Sequence, residues 1–309
     1  MSDPAMRTTS EVLAGCDLAG MTVLITGGTT GIGKETARAL AAAGSSVVIT
    51  ARSDEKGQQA VAELLELVPG GSFSYEVLEL GSLASVRSFT DRFLVEHERL
   101  DVLVANAGIM AVPFGHTDDG FELQFGTNHL GHFVLVGRLL PLLVSSAPAR
   151  IVLLSSGGHA ASDINWDDPN FATRPYSKLE AYGQSKTANV LHAVELERRY
   201  RDKGVQAWSV HPGMVKTDLG RHFTSDDYAE LVERAKAAGG ELPRRVGVDV
   251  GAATSVWAAT SGEALTCGGS YLADCAVADA KAWATDPAAA RRLWALSEEL
   301  VGEWFPEPD

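Results

Sequence analysis

Positive charge is scarce in this sequence of 309 residues: 26 Lys+Arg stand against 40 Asp+Glu, a formal net charge of −14. So acidic a surface repels nucleic acid and anionic membranes, and any anionic ligand must find a local positive site. Cysteine is almost absent. Cys16, Cys267 and Cys275 are odd in number, widely spaced and in no metal-ligand pattern, which excludes a disulfide framework and suits reduced thiols in a cytoplasm. The most apolar stretch, 134–144, is broken by Arg138 and is too short to span a bilayer. The N-terminus carries Asp3 and Glu11 and lacks the apolar core of a signal peptide, so a cytoplasmic protein is expected. There is no Gly-x-Ser-x-Gly elbow to support a serine hydrolase. The tryptophans are scattered without the basic stripe of a nucleic-acid stacking platform. His129 and His132 form a His-x2-His pair, but no cysteine or carboxylate cluster completes a metal site.

What is present is an ordinary globular composition, 45% hydrophobic and 21% charged, with the patterning of an α/β protein. Short β-branched runs at 22–26, 46–50, 74–79, 102–105, 151–155 and 205–210 alternate with helical patterns at 32–43, 55–67, 83–97, 120–145 and 181–203. Most of the strand candidates are apolar throughout, as expected of strands covered by helices on both faces. Right-handed crossovers make this a doubly wound parallel sheet. No repeat or low-complexity linker interrupts it. The expectation is one domain over 19–309, completed by a helix near 248–260 and a strand near 270–272, after a loosely held extension, 1–18. The charged segment 218–245 is expected to form a helical excursion that covers the substrate.

After the first strand comes Thr26-Gly27-Gly28-Thr29-Thr30-Gly31-Ile32-Gly33-Lys34, a glycine-rich turn feeding a helix. Such a turn brings backbone amides and a positive helix end to a pyrophosphate. Gly28-x4-Gly33-Lys34 nearly matches a P-loop, but Glu35 stands where a Mg²⁺-binding hydroxyl belongs and would repel phosphates. The spacing Gly27-x3-Gly31-x-Gly33 also differs from G-x-G-x-x-G. Where an acidic residue would bind the ribose 2′-hydroxyl of NAD, the second strand ends in Ala51-Arg52-Ser53. A guanidinium suits a 2′-phosphate, which predicts NADP(H), with Arg52 discriminating and Lys34 or Ser53 assisting.

Tyr182 and Lys186, one helical turn apart, emerge on the same helix face and can share a proton. Moving a phenol pKa from about 10 to about 7 takes roughly 4 kcal/mol, more than one ammonium supplies, so a second positive charge such as an oxidised nicotinamide is implied.

With the glycine loop, Asn106-Ala107-Gly108, Ser155-Ser156 and Tyr182-x3-Lys186 in this order, the chain resembles the short-chain dehydrogenase/reductase family over roughly residues 18 to 275. Gly31-Ile32-Gly33-Lys34-Glu35-Thr36-Ala37, Thr127-Asn128-His129-Leu130-Gly131-His132-Phe133 and His211-Pro212-Gly213-Met214-Val215 make it most similar to the branch holding retinol dehydrogenases, the WW-domain oxidoreductase and protochlorophyllide reductase. The resemblance implies a single-domain Rossmann fold with a seven-stranded parallel sheet. It also implies roles: Tyr182 as proton donor or acceptor, Lys186 depressing its pKa and binding the nicotinamide ribose, and Ser156 donating to the substrate oxygen. Asn128 would hold a water that relays protons from Lys186. Gly27, Thr29, Thr30, Gly31, Ile32 and Gly33 would form the phosphate loop, Asn106, Ala107 and Gly108 would pass beneath the adenosine ribose, and Pro212, Gly213, Val215 and Thr217 would surround the nicotinamide. Glu79-Leu80 replaces the usual Asp-Leu or Asp-Val that bonds adenine. Homo-oligomers pairing through the helix bearing Tyr182 are common in the family.

The expectation is therefore an NADP(H)-dependent ketoreductase acting on a carbonyl or alcohol, with Met110, Val112, Phe114, Phe171 and Met214 suggesting a lipophilic ketone or aldehyde. A lengthened segment before Tyr182, containing Trp166-Asp167-Asp168-Pro169-Asn170-Phe171, is expected to rim the pocket. The alternative is a Rossmann protein that senses NADP without turnover. A nucleotide-sugar lyase or epimerase is disfavoured by the small C-terminal segment.

Overall fold

The computed structural model describes residues 6–237, 245–305 and 307. Its strands are β1 (Thr22–Ile25), β2 (Ser46–Ala51), β3 (Ser72–Val77), β4 (Val102–Ala105), β5 (Ala149–Leu154) and β6 (Val205–Val210), then β7 (Met214–Val215), β8 (Arg245–Val246), β9 (Tyr271–Ala273) and β10 (Ala276–Val277). The helices are α1 (Thr9–Val12), α2 (Gly31–Ala42), α3 (Asp54–Leu67), α4 (Leu83–Glu96), α5 (Leu123–Phe125) and α6 (Gly131–Ser145), then α7 (Lys178–Tyr200), α8 (Ser225–Ala237), α9 (Val248–Thr260), α10 (Ala282–Thr285) and α11 (Pro287–Val301).

The sheet runs β10-β9-β6-β5-β4-β1-β2-β3. Seven of these strands are parallel, as the resemblance implies, and β10 adds an antiparallel edge through Ala276 and Val277. Because β1 pairs with both β2 and β4, the chain reverses direction across the sheet there, and the loops after β1 and β4 open a crevice at the strand ends. Helices α4, α6, α7 and α11 bury one face of the sheet and α2, α3 and α9 the other. Helix α4 shows why: Leu83, Val86, Phe89, Thr90 and Phe93 recur at helical spacing and all are buried.

The third strand lies two residues earlier than its pattern suggested. The single helix expected over 120–145 is three pieces, α5, a π-helical turn over Gly126–Leu130, and α6. From residue 8 the N-terminal extension is packed rather than loose: Thr8 caps α1, Thr9 Oγ1 donates to Glu35 at 2.6 Å, and Val12 and Leu18 are buried, while residues 1–5 lie outside the described residues. Of the expected covering segment, residues 238–244 lie outside the described residues. Its helix α8 is tied to the first residue of α7 by Lys178 Nζ, 3.0 Å from Asp227 Oδ2.

Helix α11 was not foreseen, although Asp286 accepting from the Ala288 amide, Pro287 in the first turn and Gly302 at φ 64° after the last are ordinary helix boundaries. It lies against α7, almost all of whose residues from Leu179 to Glu197 are buried within the one chain. Part of the α7 surface is thus covered by the chain's own C-terminal helix. No helix among the described residues is long and apolar enough to cross a membrane.

Candidate active site

The glycine loop is shaped by contacts that no other residue would permit. A Cβ on Gly33 would lie 2.4 Å from the Gly27 carbonyl oxygen and 2.5 Å from Asn106 Nδ2, and one on Gly28 would lie 2.5 Å from Ile49 Cγ2. Gly27 and Gly31 also take φ of 66° and 56°, the left-handed region that glycine tolerates. Thr30, the N-cap of α2, makes no side-chain capping bond, so the first-turn amides of α2 have no side-chain acceptor. Thr29, Gly31 and Ile32 are half-buried and Thr30 is exposed at this helix start. Uncapped amides over a glycine floor fit a pyrophosphate.

At the end of β2, Arg52 is exposed and makes no hydrogen bond or ion pair among the described residues. Ser53 is used differently, accepting from the Lys56 amide at 3.4 Å as the N-cap of α3. Lys34, expected to assist Arg52, is paired with Glu63 of α3. Glu79 turns back to accept from the Gly81 amide at 3.0 Å, and Leu80 is buried.

After β4, Asn106 Nδ2 donates to the Thr26 carbonyl at 2.8 Å, which locks Asn106-Ala107-Gly108 beneath the glycine loop. On the far side, a Cβ on Gly31 would touch Thr217 Cγ2 at 3.0 Å, so Thr217 and the loop share one wall. Pro212, Gly213 and Val215 follow β6 into the β7–β8 pair, and Val215 packs where a Cβ on Gly251 of α9 would be, at 2.4 Å.

The four polar residues singled out in the sequence converge. Ser156 Oγ accepts from the Gly158 amide at 3.0 Å and lies near enough to the Tyr182 hydroxyl to lower its pKa, whereas the Ser155 hydroxyl donates to the Lys186 carbonyl at 2.8 Å. The structure therefore separates two serines that the sequence could not. Lys186 Nζ donates to the Leu154 carbonyl at 2.8 Å and lies 5.6 Å from the Tyr182 ring centroid. A Cβ on Gly108 would be 3.1 Å from Asn128 Oδ1 and 3.6 Å from Lys186 Nζ, which places Gly108 between these two groups. Asn128 is pinned by its side chain, accepting from the Ile109 amide at 2.8 Å and donating to the Ile109 carbonyl at 2.9 Å and to Ser185 Oγ at 3.0 Å.

Burial pushes the Tyr182 phenol up to about 12, with the Ser156 hydrogen bond acting the other way. Burial also brings the Lys186 ammonium down to about 8. The protein alone therefore keeps Tyr182 protonated at neutral pH. That suits a proton donor, and the lowering by Lys186 that the resemblance implies is not among the influences on this phenol.

The short chain dehydrogenase family profile matches residues 21–228. Retinol dehydrogenase 14 of Homo sapiens is 40% identical over 297 residues, covering 92% of this chain and 87% of its own. The chain belongs to the short-chain dehydrogenase family. Among solved structures, an uncharacterized protein from Mycobacterium paratuberculosis shares 35% identity at a TM-score of 0.77, over 98% of this chain and 100% of that one. A short chain dehydrogenase from Burkholderia cenocepacia in complex with NADP shares 26% identity at a TM-score of 0.64, over 82% of this chain and 96% of that one. These likenesses make the chain a family oxidoreductase of the retinol dehydrogenase-like branch.

One group of buried and half-buried polar residues in this family member escaped sequence reasoning. Glu122, Gln124 and Tyr176 clamp the segment before Tyr182 onto the loop after β4: the Tyr176 hydroxyl donates to Glu122 Oε1 at 3.1 Å and accepts from Gln124 Nε2 at 2.9 Å. Burial raises the Glu122 pKa, partly offset by the Gln124 and Phe125 amides. Phe114 and Phe171 flank the Tyr176 ring, 5.0 and 5.2 Å between centroids, and Arg174 stacks 3.4 Å over Phe171. Of the expected apolar lining, Val112 and Phe171 are buried, Met110 and Met214 half-buried and Phe114 exposed. Only long-range pairing of 111–124 with 170–178 reveals this clamp, and no local pattern encodes it.

Proposed function

We propose that this chain is an NADP(H)-dependent oxidoreductase that transfers hydride between nicotinamide and a carbonyl or alcohol, with a lipophilic ketone or aldehyde as substrate. The observation that carries this reading is the convergence of Ser156, Tyr182, Lys186 and Asn128 at the open ends of β4 and β5, beside the glycine loop. When bound, the cofactor supplies the hydride and, once oxidised, a positive charge. Tyr182 donates its proton to the substrate oxygen, Ser156 hydrogen-bonds the same oxygen, and Lys186 and Asn128 return a proton from solvent. Phe114, Phe171 and Tyr176 form the apolar rim, and α8, held by Lys178, covers it. We place the enzyme in the cytoplasm. A sensor without turnover would not need all four polar groups, and all four are present.

Preference for NADP(H) rests on Arg52, the unpaired guanidinium at the end of β2. Arg52→Ala is expected to weaken NADPH by about thirtyfold or more, as for a lost bond to a charged group, and NADH by less than about twofold. Titration of both cofactors by energy transfer from tryptophan measures this. Equal losses for the two cofactors would contradict the assignment.

A further inference from the structure

The second histidine of the His-x2-His pair belongs to no cluster of metal-ligating groups among the described residues and lies outside the four residues above. It is nonetheless fully buried between the cofactor floor and the π-turn. His132 Nδ1 is 3.0 Å from the Asn128 carbonyl oxygen, and Nε2 is 2.8 Å from Thr26 Oγ1. Thr26 Oγ1 in turn accepts from the Ala107 amide at 3.0 Å.

The proton positions are set by chemistry. A carbonyl only accepts, so Nδ1 carries the hydrogen. Burial, with Lys186 nearby acting the same way, brings the imidazole pKa down to about 4, against the bond to Asn128, so the ring is neutral and Nε2 keeps its lone pair. The Thr26 hydroxyl must then donate to Nε2, which leaves its oxygen free for the Ala107 amide. Every bond in the chain from Ala107 through Thr26 and His132 to Asn128 has one direction, and none can reverse without leaving a buried group unpaired.

The clasp falls where the helix changes register: over Gly126–Leu130 the turn is π-helical, with the Gly131 amide bonded to Gly126. His132 Nδ1 gives the Asn128 carbonyl in this turn a side-chain donor.

We propose that His132 is a positioning residue, a two-ended clasp that sets the Asn128 turn in register with the Thr26–Ala107 floor on which the cofactor lies. In its catalytic consequences this rests on the function proposed above, but the clasp itself can be read without turnover. Three measurements on the full chain separate the cases: amide exchange over 104–109 and over 126–131, the Kd for NADPH, and kcat with KM for a carbonyl. His132→Phe, which keeps the ring and removes both nitrogens, is expected to speed exchange in both segments by about tenfold and to lower kcat by about tenfold with KM changed less than about twofold. Thr26→Val is expected to speed exchange at 104–109 and weaken NADPH, and Thr26→Ser, which restores the hydroxyl, to recover both. If His132→Phe lowers only the melting temperature, with exchange in the two segments and kcat unchanged, His132 is packing and the proposal fails. Should His132→Phe not fold, Thr26→Val decides: exchange at 104–109 unchanged from Thr26→Ser overturns the clasp. Wild-type protein that reduces no carbonyl would refute the proposed function while leaving the exchange comparison decisive for His132.

Discussion

Tyr182→Phe lowers kcat for carbonyl reduction by about a thousandfold, within the usual range for losing a positioned general acid, and changes NADPH affinity by less than about threefold. The substitution keeps the ring, whose edge lies where a Cβ on Gly158 would be, at 2.8 Å, so the loop bearing Ser156 stays in place. Only the hydroxyl that Ser156 contacts is removed. The pH dependence has a matching direction. With Tyr182 at about 12 and Lys186 at about 8, the donor is protonated throughout the neutral range, while Lys186 loses its charge as pH rises through about 8. Reduction should therefore decline above about pH 8, and alcohol oxidation, which needs a proton removed, should keep rising. Steady-state kinetics in both directions from pH 6 to 10 measures this. A Tyr182→Phe protein retaining full reductase activity would remove the proposed proton donor.

The folded protein loses on the order of 5 kcal/mol of stability between pH 7 and pH 4.5, enough to lower its melting temperature by about 10 °C or more. The cause is a set of buried imidazoles. Burial lowers His129 to about 3 and His132 to about 4, and takes His192 well below the ordinary value. The sign is fixed by linkage: below pH 6.5 the unfolded chain binds protons that the folded chain refuses, so stability falls as pH falls. Glu122, whose pKa is raised by burial, acts in the opposite sense: folded Glu122 takes up a proton above its unfolded value of 4.5, within the same window, and offsets part of the loss. His192 is the best probe, because neither ring nitrogen has a hydrogen-bond partner and its neighbours are Phe133, Trp294 and His129. His192→Phe should flatten the dependence by about one proton. Denaturant midpoints across this range provide the measurement, and a midpoint that does not move from pH 7 to 4.5 contradicts the account.

Much of this was legible because it is local. The glycine loop, the β-branched strands and the Tyr182–Lys186 spacing arise from chain stiffness and helical period, so they appear in sequence at fixed offsets. The α6 boundary was misplaced because the π-turn leaves no compositional mark: Gly126–Leu130 is as helical in pattern as the first turns of α6. The pairing of Lys34 with Glu63, the turning of Glu79 onto its own loop and the choice of Ser156 over Ser155 depend on which way side chains point once packed. Helix α11 did carry its stop and start residues, and Ala290, Leu293, Trp294, Ser297 and Val301 give it a buried stripe. It was missed because the resemblance ended near residue 275. The Glu122–Gln124–Tyr176 clamp joins distant segments, and nothing in either segment names the other.

The most direct test of the central claim is NADPH oxidation by the wild-type chain with a panel of lipophilic aldehydes and ketones, run beside NADH. The account predicts turnover of at least one class, with kcat/KM for NADPH about a hundredfold above that for NADH, near what one bidentate guanidinium–phosphate contact supplies. Tight NADPH binding with no carbonyl consumed across the panel, or equal use of the two cofactors, would contradict it.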